Sequence, residues 1–316
     1  MENNLKRICL FAAYDNNNIV HDYVVYYVKE LSKFADIYYL AECNMPQSEL
    51  NKLKPYVKEA YAYKHGKYDF GSWQELIYKI GWERLSQYDE LILANDSCFA
   101  PMIPFEELFS QIDNDSQWDT CGITKNYSPR INSWYLNSYF MVYRKRLFTS
   151  PLFKDFINSI SSHKDKMDIV VYYEEMFSKS AMDAGFIVKC HSPVVTSMYK
   201  DWRKILKNRC CFLKKKSISA DCDTDTFMFR QFITKHTSYP LNLIDKYLED
   251  SQTKKALAAK SLKSLIKRLG KIPSWFVEIN RKHKRIRLFG IYIQNGYPKG
   301  KEASFEDGSI KLIDAK

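Results

Sequence analysis

The chain has 316 residues, 46% of them apolar, which suffices for a substantial core in one large domain or two modest ones. Its formal charge of +11 is uneven: residues 251–316 hold 16 Lys or Arg against 5 Asp or Glu, and residues 1–250 hold 32 of each sign. A neutral body argues against a nucleic-acid enzyme with a positive working face, and it gives the basic tail an electrostatic task of its own. The eight cysteines show no C-x-x-C spacing and several sit in apolar runs, so a reduced compartment is expected rather than a disulfide framework. MENNLKR lacks the layout of a secretory signal, and no run approaches the roughly 20 apolar residues of a membrane span. A cytoplasmic location is the expectation.

Along the chain, Arg7–Tyr14 reads as a strand buried on both faces. A helix follows, with Val20, Val24, Tyr27, Val28 and Leu31 at helical spacing. Asp36–Ala41 is a second strand and Val57–Tyr63 a weaker third. The stretch Lys67–Pro101 is the most informative. Asp69-Phe70-Gly71 reads as a tight turn, and Ser72 and Glu75 stand in the S-x-x-E spacing of a capping box. Trp73, Leu76, Ile77, Ile80 and Leu85 then give one apolar helical face. Tyr88–Ala94 is a short strand that stops at Asn95-Asp96-Ser97. Strands alternating with helices imply a parallel sheet covered by helices, and in such sheets ligands sit beyond the carboxyl ends of the strands. Asp96 is therefore either placed for chemistry or the cap of the next turn.

Further on, Trp118–Thr124 and Leu136–Tyr143 are strand-like. Ile169–Ala184 is helical and stops at Gly185, and Phe186–Cys190 returns to a strand. Beyond Trp202 the pattern becomes helical and basic. In the tail, Ala258, Leu262, Leu265, Ile266 and Leu269 form an apolar stripe opposite Lys255, Lys260, Lys263 and Lys267, followed by Trp275, Phe276 and the basic run Arg281–Arg287. That is the composition of a helix lying in a membrane interface with anionic lipid, or of one docked on the domain with a solvated basic face.

A strand–helix start, an acidic strand tip and a second acidic pair at Glu174-Glu175 suggest group transfer from a nucleotide-activated donor. YDFGSW (Tyr68–Trp73), NDS (Asn95–Ser97) before Pro101, WDTCGIT (Trp118–Thr124), NSYFMVY (Asn137–Tyr143) and YEE (Tyr173–Glu175) with Gly185 together resemble the rhamnan-synthesis protein F family. Its members are bacterial glycosyltransferases that build rhamnose-containing cell-wall, O-antigen or capsular polysaccharides. The resemblance covers roughly residues 6–250. It implies an α/β fold, a GT-A-like single Rossmann-type nucleotide-sugar domain over 1–200, with a helical continuation over 201–250. The basic extension over 251–316 is expected to be mostly helical.

The same resemblance implies a nucleotide-sugar donor, with dTDP-rhamnose the leading choice, and a growing lipid-linked glycan as acceptor at the inner face of the membrane. Asp96 then stands where GT-A enzymes carry an Asp-x-Asp motif that holds Mg²⁺ or Mn²⁺ against the donor diphosphate, with His191 as a further ligand. Only one of the usual two carboxylates is present. A metal-independent site, in which Ser97 or a nearby basic group meets the phosphates, stays open. Tyr14, Asp15, Asp69, Gly71, Ser72, Asn95, Asp96 and Ser97 make up the expected donor side. The offset from Gly185 makes Glu174 the general base, with Glu175 and then Asp119 as fallbacks. Trp118, Asp119, Ser138 and Tyr139 are the expected acceptor side, and Trp118 and Trp134 are candidates to stack on sugars. A rival from another class is a non-catalytic sugar- or nucleotide-binding scaffold.

Overall fold

The computed structural model describes residues 5–250, apart from 116, 164, 193–197 and 219–225, and beyond them five strand segments between Val277 and Asp314. The chain divides into two compact units, Met1–Lys254 and Lys255–Lys316. The first opens with β1 (Arg7–Ala13), α1 (Asp22–Leu31), β2 (Asp36–Ala41), the short α2 (Gln47–Leu50) and β3 (Glu59–Ala62). Helix α3 (Tyr68–Ile80) and the single turn α4 (Trp82–Leu85) lead to β4 (Glu90–Asn95), β5 (Cys98–Phe99) and α5 (Phe105–Asp113). Next come β6 (Thr120–Gly122), the hairpin of β7 (Lys125–Ser128) and β8 (Ser133–Leu136), β9 (Phe140–Arg144), α6 (Lys145–Phe148) and α7 (Pro151–Ser159). A helical stretch runs through α8 (Lys166–Ile169), a π-helical segment (Val170–Glu175) and α9 (Met176–Asp183) to β10 (Val188–Cys190). Helix α10 (Trp202–Lys207), β11 (Leu213–Lys214), a tight helical turn (Lys215–Ile218), α11 (Thr226–His236) and α12 (Leu241–Asp250) follow.

The central sheet has the order β10-β6-β9-β4-β1-β2-β3. Strand β9 runs antiparallel to both of its neighbours, and every other ladder is parallel. Strand β1 explains why the sheet is covered on both faces. Cys9, Phe11 and Ala13 enter one core with α1, α5, α10, α11 and α12, while Ile8, Leu10 and Ala12 enter the other with α3, α4, α6, α7 and α9. A strand whose alternate residues feed two cores is apolar nearly throughout: all seven residues of β1 are buried, and its one polar residue, Arg7, is ion-paired with Glu90 at 2.7 Å. This is the expected α/β arrangement, a mostly parallel sheet with helices on both faces. No helix among the described residues is long and apolar enough to cross a membrane.

Several boundaries differ from the expectation for physical reasons. Helix α3 starts at Tyr68, so Asp69-Phe70-Gly71 is its first turn and not a turn before it. The capping box does not form, because Ser72 lies four residues inside α3; its hydroxyl meets the His65 ring at 2.9 Å and Glu75 pairs with Lys67 at 2.7 Å. Gly81, at φ +82°, ends α3, which puts Leu85 in a separate turn. The run Leu136–Tyr143 splits where the Asn137 backbone N–H donates to the Thr124 carbonyl at 2.9 Å. The apolar stripe Ala258–Leu269 lies outside the described residues. Past it the described residues of the extension are strands, where helix was expected. Strands β12 (Val277–Asn280), β13 (Arg285–Leu288) and β14 (Ile291–Gln294) form one antiparallel sheet, and β15 (Lys301–Glu306) and β16 (Ser309–Asp314) a hairpin. The run Arg285–Leu288, read as part of a basic stretch by its charge, alternates basic and apolar residues at the period of a strand.

Strand β11 pairs antiparallel with β5, just beyond the tip of β4. Phe212 anchors it: its buried ring packs on Phe140 at 4.8 Å, Tyr139 at 5.6 Å and Phe105 at 5.8 Å between ring centres. Phe212→Ala should cost about 3–5 kcal/mol in urea unfolding, the scale for emptying a buried Phe site. A loss under about 1 kcal/mol would mean that Phe212 does not anchor the strand.

Candidate active site

The site is built around the end of β4. All six of its residues are buried, and the Trp73 indole N–H donates to the Ala94 carbonyl at 3.1 Å, fixing α3 against the strand. At the tip, the Asn95 side-chain N–H donates to Asp69 Oδ2 at 2.8 Å, while its amide oxygen accepts from the Ser97 backbone N–H at 3.2 Å and from the Ser97 hydroxyl. The Asp96 backbone N–H donates to the Ala12 carbonyl at 3.2 Å, so the tip stays fastened to β1 while the chain turns. The Asp96 carboxylate then lies at the carboxyl edge of the sheet. Its Oδ2 faces the Lys215 ammonium at 3.3 Å and the Tyr23 hydroxyl at 3.4 Å.

Two residues in this cleft escape sequence reasoning, Lys214 and Lys215. Lys214 Nζ donates to the Ser97 hydroxyl at 2.7 Å and sits 4.3 Å over the Tyr139 ring. Lys215 Nζ donates to the Tyr23 hydroxyl at 2.6 Å and lies 5.1 Å and 5.4 Å from the ring centres of Tyr23 and Tyr247. Burial disfavours the Lys215 ammonium, yet Asp96 beside it more than offsets that and holds its pKa above the ordinary lysine value. The only sequence signal was the run Lys214–Lys216 directly after the apolar Cys210–Leu213.

Glu174 lies in the π-helical segment, a winding that inserts an extra residue into the turn and recurs at functional sites. The Ser138 hydroxyl, from the loop between β8 and β9, donates to Glu174 Oε1. Burial raises the Glu174 pKa; Ser138 and the charge of Lys214 pull it back, and Asp69 pushes it up again. Ser138 adjoins Tyr139, whose carbonyl accepts from the Asn95 backbone N–H at 3.2 Å and whose ring lies under Lys214, so Glu174 is tied to the tip of β4 and its lysine. Glu175 does not join them. It is buried, and its Oε2 accepts from the Ser128 hydroxyl of β7 at 2.7 Å. The two side chains take different partners, Ser138 for Glu174 and Ser128 for Glu175, so they point apart. As a fallback base, Glu175 is corrected to an anchor of the β7–β8 hairpin.

Trp118 and Asp119 are also corrected. The ladder pairs Glu90 with Arg144 and Thr120 with Tyr143, and the Arg144 backbone N–H donates to the Asp119 carbonyl at 2.8 Å. Both residues therefore lie at the amino edge of the sheet, roughly 20 Å along β4 from Asp96 at the usual strand rise. There Asp119 pairs with Arg146 at 2.7 Å and accepts from the Ile187 backbone N–H at 2.8 Å. Trp118 is buried beneath the Arg144 guanidinium, 4.0 Å from its ring centre. Neither is available to an acceptor sugar. Tyr139 is buried, its hydroxyl 3.1 Å from Thr124 Oγ1 and its ring the floor under Lys214. Trp134 is exposed, beneath the Lys125 ammonium and beside Tyr127 in the β7–β8 hairpin.

At the tip of β1, Tyr14 is exposed and its hydroxyl donates to Asn16 at 2.6 Å. The Asp15 carboxylate binds its own loop through the Asn17 and Ile19 backbone N–H groups and also meets His21 at 2.9 Å. Burial raises its pKa, and these partners, His21 foremost, lower it further than burial raises it. His191 leaves β10 with its backbone N–H on the Gly122 carbonyl at 2.8 Å, and burial depresses the pKa of its ring. Among the described residues, no three His, Cys, Asp or Glu side chains converge as metal ligands. With its Oδ2 facing an ammonium, Asp96 presents a poor ligand to a second cation. These residues do not fit a resident Mg²⁺ or Mn²⁺.

Gly71 has a specific packing reason. A Cβ there would collide with Lys67 Cβ and come within 2.7 Å of His65 Nδ1. The His65 ring lies over the first turn of α3, held by Ser72 at 2.9 Å and by Glu42 at 3.5 Å. Replacing a helical Gly by Ala normally gains up to about 1 kcal/mol. Here Gly71→Ala should instead destabilise by about 1–3 kcal/mol in a thermal melt, the scale for overpacking. A neutral or raised melting temperature would show that His65 moves aside freely.

The family model for rhamnan synthesis protein F matches residues 37–288. No curated protein matches the chain significantly. Among solved structures, the chain is similar to the glycosyltransferase GlyE of Streptococcus pneumoniae TIGR4, at 13% identity and a TM-score of 0.42, over 78% of this chain and 64% of that one. It is also similar to a cytidylyltransferase of Leptospira borgpetersenii serovar Hardjo-bovis, at 12% identity and a TM-score of 0.40, over 78% of this chain and 95% of that one. A third is the 4-diphosphocytidyl-2C-methyl-D-erythritol synthase of Anaerococcus prevotii, at 11% identity and a TM-score of 0.37, over 62% and 94%.

Proposed function

The chain belongs to the rhamnan synthesis protein F family, and from that premise we propose that it is a nucleotide-sugar-dependent glycosyltransferase with Glu174 as its general base. The observation that carries this reading is the setting of Glu174. It is a partly buried carboxylate with a raised pKa, oriented by the Ser138 hydroxyl, and Ser138 adjoins Tyr139, which lies under Lys214 and is bonded to the carboxyl tip of β4. That is the edge of an open α/β sheet where ligands bind.

The donor lies along Asn95–Ser97 and the first turn of α3. An acceptor hydroxyl gives its proton to Glu174 as its oxygen bonds to the anomeric carbon. The bond from that carbon to the diphosphate oxygen breaks, and its electron pair leaves with the nucleoside diphosphate. One displacement inverts the anomeric configuration. Ser138 holds the base against rotation, and the raised pKa brings the carboxylate nearer the working pH, where base catalysis is most effective. We take dTDP-rhamnose as the donor and a growing lipid-linked glycan of the cell surface as the acceptor, on the strength of the family alone.

Glu174→Gln should lower turnover by a factor of about 10² to 10⁴ while donor binding persists. Following nucleoside diphosphate release from dTDP-rhamnose checks this, and turnover within about two-fold of wild type contradicts it. The same variant has a stability signature. A carboxyl whose folded pKa lies above its unfolded value binds more protons folded than unfolded, so its contribution holds at low pH and is lost as pH rises through the folded pKa. Glu174→Gln removes that loss. Its melting temperature should gain on wild type between about pH 4 and about pH 8. An unchanged difference across that range would mean that Glu174 is not buried in its charged form.

A lipid-linked acceptor gives the basic tail a purpose: holding the enzyme at an anionic membrane surface. Support comes from the charge distribution, since residues 251–316 carry the whole excess of +11. Each Lys or Arg near anionic lipid adds about 1 kcal/mol. The full chain should sediment with anionic but not neutral vesicles and be released by salt near 1 M, where screening shortens to about 3 Å. Equal binding to both vesicle types would contradict the membrane role.

A further inference from the structure

We infer that Lys214 and Lys215, in place of a divalent ion, hold the diphosphate of the donor, with Asp96 as the positioning residue that fixes Lys215. The inference deepens the glycosyl-transfer reading above and rests on it. Glycosyl transfer leaves negative charge on a departing diphosphate, so something cationic has to stand at the strand tip. Two cations already do. Lys214 Nζ touches the Ser97 hydroxyl at 2.7 Å, and Lys215 Nζ lies 3.3 Å from Asp96 Oδ2. Ser97 and Asp96 are neighbours in the chain, which places both ammonium groups over one turn. The β5–β11 ladder makes this reproducible, because it pairs Lys214 with Cys98, and the Lys215 backbone N–H donates to the Ser97 carbonyl at 3.0 Å.

The partners decide what each lysine can do. An ammonium has three N–H donors. Lys215 directs two at Tyr23 and Asp96, which leaves one for a ligand. Among the described residues Lys214 meets a hydroxyl and the face of Tyr139 and forms no ion pair, so much of its charge stays available. The rings of Tyr139, Tyr23 and Tyr247 lie against the two ammonium groups, and a charge beside such low-dielectric walls acts more strongly on an incoming anion than it would in water. A divalent ion at Asp96 Oδ2 would instead stand against the Lys215 ammonium, and like charges at that distance repel strongly in a partly buried site. The two lysines also connect donor and base. Lys214 lowers the Glu174 pKa, and a bound diphosphate would screen that charge and raise the proton affinity of the base once the donor is in place.

The experiment measures binding of dTDP to the full chain by calorimetry, in EDTA and again with Mn²⁺. Wild type should bind in EDTA, with an affinity within about two-fold of that in Mn²⁺, whereas a metal bridge would change it by far more. Lys215→Met and Lys214→Met should each weaken dTDP about ten-fold or more while thymidine binding is unchanged, the scale of a lost charge-assisted hydrogen bond. Lys214→Arg should recover part of the loss. Asp96→Asn should weaken dTDP by the same factor in EDTA and in Mn²⁺, as expected of a positioning residue; a loss confined to Mn²⁺ marks a metal ligand. Wild-type binding that vanishes in EDTA and returns with Mn²⁺ overturns the inference and leaves the transferase reading intact, and it needs no variant to fold. Failure of wild type to bind dTDP, UDP or GDP under either condition overturns both.

Discussion

The amide of Asn95 holds the working end of the molecule together. Strand β4 is buried along its length, so the chain cannot stop there without a partner for each polar group at the tip. One end of the Asn95 amide donates to Asp69 in α3 and the other accepts from Ser97. That fixes the helix and the strand tip relative to each other. It also aims Ser97 outward, where the following residues form β5 and pair with β11. Both lysines and the Asp96 carboxylate reach the cleft through this one junction. An apolar residue at 95 would leave Asp69 and the Ser97 N–H without these contacts, a cost that falls on the site before it falls on the core.

The two edges of the sheet divide the labour. At the amino edge, Arg7 pairs with Glu90 at 2.7 Å and also with Asp113, and Arg144 lies 3.6 Å from the same Glu90. Burial pushes the Glu90 pKa up and Arg7 pulls it back, so the carboxylate is tolerable only because cations surround it. Asp119 and Arg146 extend this network. At the carboxyl edge, by contrast, charge stays incompletely matched. Glu174 meets a hydroxyl, and Lys214 meets a hydroxyl and a ring. Matched charges hold structure, and mismatched ones are left to act on a ligand.

Much of this was legible in the sequence, and the failures have identifiable causes. The abrupt end of an apolar run at Asn95-Asp96-Ser97 located the strand tip. The capping box failed because α3 begins at Tyr68, four residues before Ser72, whose hydroxyl meets His65 instead. Asp119 was misplaced because a strand carries no label saying which end meets the ligand; only the ladder to Arg144 settles it. Lys214 and Lys215 were missed because more than 110 residues separate them from Ser97 and Asp96, and a tertiary ladder alone joins them. The strand at Arg285–Leu288 was missed by weighing the charge of that run above its period.

The central claim is that Glu174 activates the acceptor for one direct displacement on the donor sugar. The most direct measurement is the anomeric configuration of the glycosidic bond in the first product formed by the purified protein from dTDP-β-L-rhamnose, read by nuclear magnetic resonance from the one-bond carbon–proton coupling at C1. A direct displacement predicts the α linkage, inverted from the donor. A β linkage would require a second displacement or a different face of attack, and it would contradict the role assigned to Glu174.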